Sequence, residues 1–353
     1  MINTVRPGVY TSYELSGVLS SGLAVGTVAV AAVALSGTAG TVYDITSYAA
    51  AIEQFGKGSA MAALIKILIL NGVSHVKAVP VATGSGQTAD ISDYMAAFAA
   101  LSDIDDVKIV ICDSTQVSVH EKLKDSILSA DERCAYRIGI VEGSGSVSEI
   151  VQAAENLNCE RIVMTAPPAM SSENQAVQAG SVAAAVAGAI ISERDPAIPL
   201  NGAVLKGLAG LAAKYGDGDA ELLIKGGVTP VESLGGAVSV VRGVTTKTMT
   251  AGASDYTWRE LSTVLITDDV IPTIRESLRG MFSCAKNTAQ TRGAIRTQVV
   301  IELEKKVAAE IISGYSNVKV AQNASDSTVC DVSFEFTVAH GINQIQLVAY
   351  ITV

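Results

Sequence analysis

From Leu23 to about Glu193 the chain alternates short apolar, β-prone runs with helix-patterned stretches, and few architectures accept that order. Val25–Leu35, His75–Val81, Val107–Cys112, Tyr136–Val141 and Arg161–Ala166 read as strands. Between them fall predicted helices: Asp44–Phe55 with Asp44 as N-cap, Ser59–Leu70 ended by Asn71-Gly72, Ile91–Leu101, Val117–Leu128 and Val147–Leu157. Pro167-Pro168 breaks the chain before a long helix over Gln175–Ile191. Repeated strand–helix units of this spacing imply a largely parallel sheet covered by helices.

Between Asp195 and Gly243 Gly and Pro recur, interleaved with short runs such as Leu222–Lys225 and Ala237–Val241, which predicts a layer of short antiparallel strands. A second unit follows, with helices over Asp268–Lys286 and Arg292–Ser313 and strands over Val318–Gln322 and Thr328–Ala339. In the last of these, Val332, Phe334, Phe336 and Val338 share one face. The expected fold is an α/β domain with a mostly parallel sheet, then an α+β domain, flanked by extended strand arms. The expected boundaries are 1–22 for an N-terminal arm and 23–245 for the α/β domain, with its short-strand layer from 195. The α+β domain then covers 246–340, and 341–353 forms a C-terminal strand.

Gln344–Val353 alternates strictly enough to be a half-buried strand: Ile345, Leu347, Ala349, Ile351 and Val353 on one face, Gln344, Gln346, Tyr350 and Thr352 on the other. Near the other end, Arg6-Pro7-Gly8 is a turn signal followed by the β-prone run Val9-Tyr10-Thr11-Ser12-Tyr13-Glu14. Such strands carry unpaired backbone groups and must pair within their own chain or be donated to another molecule. Gly17, Gly22 and Gly341 lie where either arm needs a hinge.

A chain of 353 residues that is 49% hydrophobic and 17% charged can bury a large core. Its net charge of −10 disfavours non-specific binding to nucleic acid or an anionic membrane. The five cysteines are scattered without C-x-x-C spacing, so free thiols are expected and no metal site is indicated. No signal peptide or bilayer-spanning run stands out, and the chain reads as soluble. Thr83-Gly84-Ser85-Gly86 and Gly143-Ser144-Gly145 follow strands but complete no phosphate-binding fingerprint. Gly216-Asp217-Gly218-Asp219 lacks the ligand spacing of a calcium loop and reads as a turn. His75, His120 and His340 form no catalytic constellation, and Asp268-Asp269 reads as a pair of flanking charges. No catalytic residue, metal ligand or cofactor is therefore predicted.

Several landmarks occur together in one order: Arg6-Pro7-Gly8-Val9-Tyr10, then Asn71-Gly72-Val73-Ser74-His75-Val76-Lys77-Ala78-Val79-Pro80-Val81, then Asp255-Tyr256-Thr257-Trp258-Arg259-Glu260-Leu261 with Ile266-Thr267-Asp268-Asp269-Val270, and last the terminal strand. In this order the chain resembles the contractile-tail sheath proteins of bacteriophages, phage-tail-like bacteriocins and related injection systems. The resemblance implies six-subunit rings stacked as a helix around an inner tail tube, with a baseplate and a tail terminator at the ends. It implies a place in a virion or phage-tail-like particle assembled in the bacterial cytoplasm. It makes Val9, Tyr10, Thr11 and Tyr13, and Ile345, Leu347, Ala349 and Ile351, the inter-subunit contacts of the two arms. It puts the α/β domain outside and the α+β domain against the tube, without nucleic acid or membrane insertion.

Within Ile271–Val300, five cations (Arg275, Arg279, Lys286, Arg292, Arg296) stand against Glu276, a net of +4 in an acidic chain. On a continuous helix Arg275, Arg279 and Lys286 fall within about 40° of one another, and this basic edge is the candidate tube-facing surface. The rival readings are a solvated helix face for these cations and, for the whole chain, a nucleotide-binding α/β enzyme or a static self-assembling shell.

Overall fold

The structure, a computed structural model, describes residues 26–83, 89–171, 173, 175, 177–282, 285–343 and 347. The expected arm residues Val9, Tyr10, Thr11, Tyr13, Ile345, Ala349 and Ile351, the hinges Gly17 and Gly22, and Gly84–Gly86 lie outside the described residues.

The first unit runs β1 (Thr27–Val33), β2 (Tyr43–Ile45), α1 (Tyr48–Phe55), α2 (Ala60–Leu70), β3 (Val76–Val81), α3 (Ile91–Ala100), β4 (Val107–Cys112), α4 (Val117–Glu132), β5 (Ile138–Glu142), α5 (Val147–Leu157) and β6 (Ile162–Ala166). It continues through β7 (Ala169–Met170), α6 (Ser181–Ser192), β8 (Val204–Leu205), β9 (Gly210–Leu211), α7 (Asp217–Lys225), β10 (Val228–Leu234) and β11 (Ala237–Val240). Among the described residues the main sheet has the order β2-β3-β1-β4-β5-β6-β10-β11-β8. The six strands from β3 to β10 are parallel, β2 at one edge and β11 at the other run against them, and β8 pairs antiparallel with β11. β1 shows why the strands are apolar throughout. Val28, Val30 and Ala32 face a core shared with α2 and α6, and Ala29 and Ala31 face a second core under α3, α4 and α5.

Three local expectations are corrected by neighbouring chemistry. Asp44 is a strand residue of β2, bonded to Lys77 at 2.5 Å; α1 begins later, capped by Ser47, whose hydroxyl accepts the Ala50 N–H. The long helix expected from Gln175 starts only at Ser181. Gly180, immediately before it, has φ +83°, and a Cβ there would lie 2.4 Å from the Cys112 carbonyl oxygen, so the backbone turns at that point. Gly216-Asp217-Gly218-Asp219 is the start of α7, with two acids in the first turn, so Leu222–Lys225 is helical rather than a strand.

The second unit comprises β12 (Met249–Thr250), β13 (Ala253–Ser254), α8 (Leu261–Phe282), α9 (Ala289–Ala308), β14 (Ile312–Gln322) and β15 (Cys330–Val338). α9 stops short of the expected Ser313. Glu310 adopts φ +59°, and the Ile311 N–H returns to the Lys306 carbonyl, the bond pattern of a Schellman stop. α8 belongs to both units: Leu261 and Val264 pack in the first core, while Ile266, Val270 and Ile274 pack with Val299, Leu303 and Ile312 in the second unit. The face expected for β15 is the observed one, with Val332, Phe334, Phe336 and Val338 against that core and Asp331, Ser333, Glu335 and Thr337 outward.

Candidate assembly surfaces

β14 and β15 form a two-stranded antiparallel sheet, and among the described residues neither has a second neighbour. Its inner face is held by α9: Arg296 Nε donates to the Val318 carbonyl at 3.1 Å and the Tyr315 hydroxyl to Glu304 at 2.5 Å. A bulge at Asn317, φ +54°, is pinned from across the ladder. Its amide and the Ser316 hydroxyl both donate to one Glu335 oxygen, at 2.7 and 3.0 Å. The hairpin is thus half covered, yet among the described residues offers two open strand edges about ten residues long.

The seam between the units is built on Arg161, at the entry to β6. Its guanidinium donates to both oxygens of Asp268 on α8 at 2.8 and 3.0 Å, pairs with Asp131 of α4 at 3.0 Å, and lies 5.2 Å from the Tyr136 ring centroid. The neighbour of Asp268 in sequence points elsewhere: Asp269 accepts from Lys306 of α9 at 2.5 Å. Adjacent residues on a helix are turned by about 100°, so the pair fastens α8 to two different elements. These acids are partly buried cross-element partners, not the flanking charges read from the sequence. Burial raises the Asp268 carboxyl, with Arg161 opposing the shift.

The basic edge is only partly assembled. α8 ends at Phe282, so Lys286 lies in the turn before α9 and not on the helix with Arg275 and Arg279, which corrects the expected 40° cluster. All three side chains are exposed. Arg275 Nη1 reaches back to the Cys134 carbonyl at 3.5 Å, toward the first unit. Arg279 and Lys286 form no ion pair with another described residue.

The carboxyl end of the parallel sheet is where doubly wound folds hold ligands, at the point where strand order reverses. Here that point lies between β1 and β4. Asp113 fills it, accepting from the Tyr94 hydroxyl at 2.6 Å and the Val33 N–H at 2.9 Å. One strand over, the buried Glu142 accepts the Val182 N–H at 2.9 Å, at the start of α6. Burial pushes Glu142 up to about 7 and the Cys112 thiol up to about 12. The chain's own carboxylates stand where a phosphate would be cradled. Among the described residues no three His, Cys, Asp or Glu side chains are grouped to hold a metal.

Residues 87–246 match the family model of the phage tail sheath protein central domain, and residues 253–352 that of the phage tail sheath C-terminal domain. The chain belongs to the phage tail sheath protein family. The tail sheath protein of Bacillus phage SP01 is 27% identical over 249 residues, 68% of this chain and 42% of that protein. The tail sheath protein of Mycobacterium phage Bxz1 is 25% identical over 297 residues, 79% of this chain and 49% of that protein. The matched region thus spans less than half of either curated relative. In fold, the chain is similar to the anti-feeding prophage helical sheath in its contracted state, with a TM-score of 0.74 at 13% identity over all of both chains. It is also similar to the sheath tail protein of Desulfitobacterium hafniense, with a TM-score of 0.71 at 11% identity over 94% of this chain and all of that one.

In this sheath-family chain the C-terminal match takes in the open hairpin, the basic edge and the Asp268–Asp269 pair. The Arg161 half of the seam lies in the central match. Sequence reasoning missed that seam because its three charged members are far apart in the chain. The only local signal was a pair of adjacent acids within a helix that also carries apolar residues.

Proposed function

We propose that this chain is the structural subunit of a contractile tail sheath. Six copies form a ring, rings stack helically around an inner tail tube, and contraction drives the tube through a target cell envelope. Residues 23–245 face outward and residues 246–340 face the tube. The arms 1–22 and 341–353 add strands to neighbouring subunits. The particle is a phage or phage-tail-like device assembled in the bacterial cytoplasm, with a baseplate and a terminator at the sheath ends. The subunit itself carries no catalytic step, because the energy of contraction is stored in the lattice.

The observation that carries this reading is the hairpin β14–β15, whose two edges are unpaired among the described residues. Donated strands satisfy such edges through backbone hydrogen bonds, a geometry that survives rotation of the rigid bodies they join. The C-terminal segment is suited to donation: Leu347 is 90% exposed on its own chain. Burying Ile345, Leu347 and Ile351 on a neighbour contributes about 1.5–3 kcal/mol for each side chain. The family match and the contracted-sheath fold agree with this role. Arg279 and Lys286 are the cations of the basic edge best placed to meet an acidic tube.

The test is truncation after Asn343. The full chain should form hollow, ridged, six-fold tubes by electron microscopy. The truncated chain should remain folded by circular dichroism but stay dispersed. Normal tubes from the truncated protein would reject the exchange of the C-terminal strand, and dispersed particles from the full chain would reject the sheath reading itself.

A further inference from the structure

After β15 the chain makes one last bond to the hairpin, Ala339 N–H to the Ile311 carbonyl at 3.2 Å, and then runs against the loop that follows α6. A Cβ on Gly341 would lie 2.6 Å from Pro199 Cγ and 2.8 Å from its Cδ, closer than carbon atoms approach. The φ of Gly341 is not in the left-handed region, so the glycine is required by this packing and not by its backbone conformation. Two residues on, Asn343 Oδ1 accepts from Asn201 Nδ2 at 2.8 Å. Ile342, between these contacts, is 74% exposed, and Leu347, beyond them, is 90% exposed.

The receiving loop touches both units, with Ala197 packed against the core of the second. Leu200 is buried in the first core beside Leu261 of α8, and a Cβ on Gly243 would touch both Leu200 and Leu261, at 3.3 and 3.5 Å. The hairpin, in contrast, is bonded along one side only among the described residues.

We propose that Gly341, Pro199, Asn201 and Asn343 form a clip that fastens the root of the C-terminal segment to the α/β unit. The segment then pivots beyond Asn343, and a pull on it is delivered to the seam between the units. The β15 strand, which would otherwise peel from β14 one hydrogen bond at a time, is relieved of that load. The inference rests on the reading of 341–353 as a linking strand, and it replaces Gly341 as the hinge with a fixed point.

The test uses the full chain with Gly341→Ala, Pro199→Ala, the double substitution, and Asn201→Ala. Hydrogen exchange of the Ala339 N–H, bonded to the Ile311 carbonyl, is read in the unassembled protein, and tube formation by electron microscopy. Gly341→Ala forces a Cβ into the proline ring, and exchange should rise about tenfold, the loss of roughly one hydrogen bond and its packing. Tube yield should fall with it. Pro199→Ala removes Cγ and Cδ and leaves only Cβ, at 3.0 Å, so the double variant should return part of the way to wild type in both readouts. Asn201→Ala removes the donor to the Asn343 side chain and should lower tube yield as well. A hinge glycine predicts the reverse, stiffening by alanine with no rescue from position 199. Unchanged exchange in Gly341→Ala, or no rescue in the double variant, overturns the clip. Tubes formed by the chain truncated after Asn343 would instead remove the linking-strand reading and leave the exchange result standing.

Discussion

Replacing Arg161 by Met removes a guanidinium that serves two carboxylates, whereas Asp268→Asn removes one carboxylate and leaves the cation its second partner. The side chains of Arg161 and Asp268 are 9% and 15% exposed, and Asp131 is 34% exposed. Losing Arg161 strands a buried carboxylate with the more open Asp131 beside it, a loss of about 3–5 kcal/mol, to which the Tyr136 contact adds about 0.5–1 kcal/mol. Asp268→Asn keeps a polar partner and the Asp131 pair, and should cost about 1–3 kcal/mol. Because burial raises the Asp268 carboxyl even with Arg161 beside it, desolvation is not fully offset in this pair. Arg161→Met with Asp268→Leu should therefore be more stable than Arg161→Met alone, with a coupling of at least about 1 kcal/mol. Urea unfolding followed by far-ultraviolet circular dichroism measures these three and Asp268→Leu alone, which closes the cycle, and an unchanged slope shows that the unfolded reference is the same. Additive losses, or Asp268→Asn as damaging as Arg161→Met, would refute the claim that the seam is a charge-satisfied clamp. The clamp fixes α8, which both units share, to β6 and α4.

Two further outcomes follow from the same geometry. Glu142 is pushed up to about 7 from 4.5, chiefly by burial, with the Val182 and Gly180 N–H groups opposing. Between those pH values the native protein holds a proton that the unfolded chain has released, so this group's contribution falls as pH rises, by up to about 3 kcal/mol. Asp113, also raised by burial, acts in the same direction. Comparing urea midpoints at pH 5 and pH 8 should show Glu142→Gln gaining on wild type at the higher pH, and a pH-independent difference would contradict the assignment. At the basic edge, Arg279→Glu with Lys286→Glu should reduce co-sedimentation with purified inner tube protein while rings still form. Arg275→Glu should matter less, since that guanidinium is turned toward the Cys134 carbonyl; equal binding by all variants would count against a tube-facing role.

The strands and helices of the first unit were legible because each buries a continuous apolar face, and such faces have a local period. Val107–Cys112 and Val147–Leu157 coincide with the observed β4 and α5. The misreadings sit where a distant atom overrides a local preference. Asp44 is drawn into a strand by Lys77, and Gly180 is fixed by the Cys112 carbonyl. In the candidate surfaces, the alternating face of β15 could be read directly, whereas the basic edge depended on a helix end that the sequence placed at Lys286 and the structure places at Phe282.

By itself, then, the sequence determined the doubly wound character of the first unit, the α+β character of the second, and the family, through landmarks kept in one order. Those properties depend on periodicity and on short motifs, both of which are local. Only the tertiary structure decided which strand adjoins which, that Arg161 meets Asp268 and Asp131, that Asp113 and Glu142 close the crevice of the sheet, and that Gly341 lies on Pro199. Each of these joins residues far apart in the chain, and such contacts are fixed by packing and charge compensation in the assembled core, which leave no period for a sequence to show.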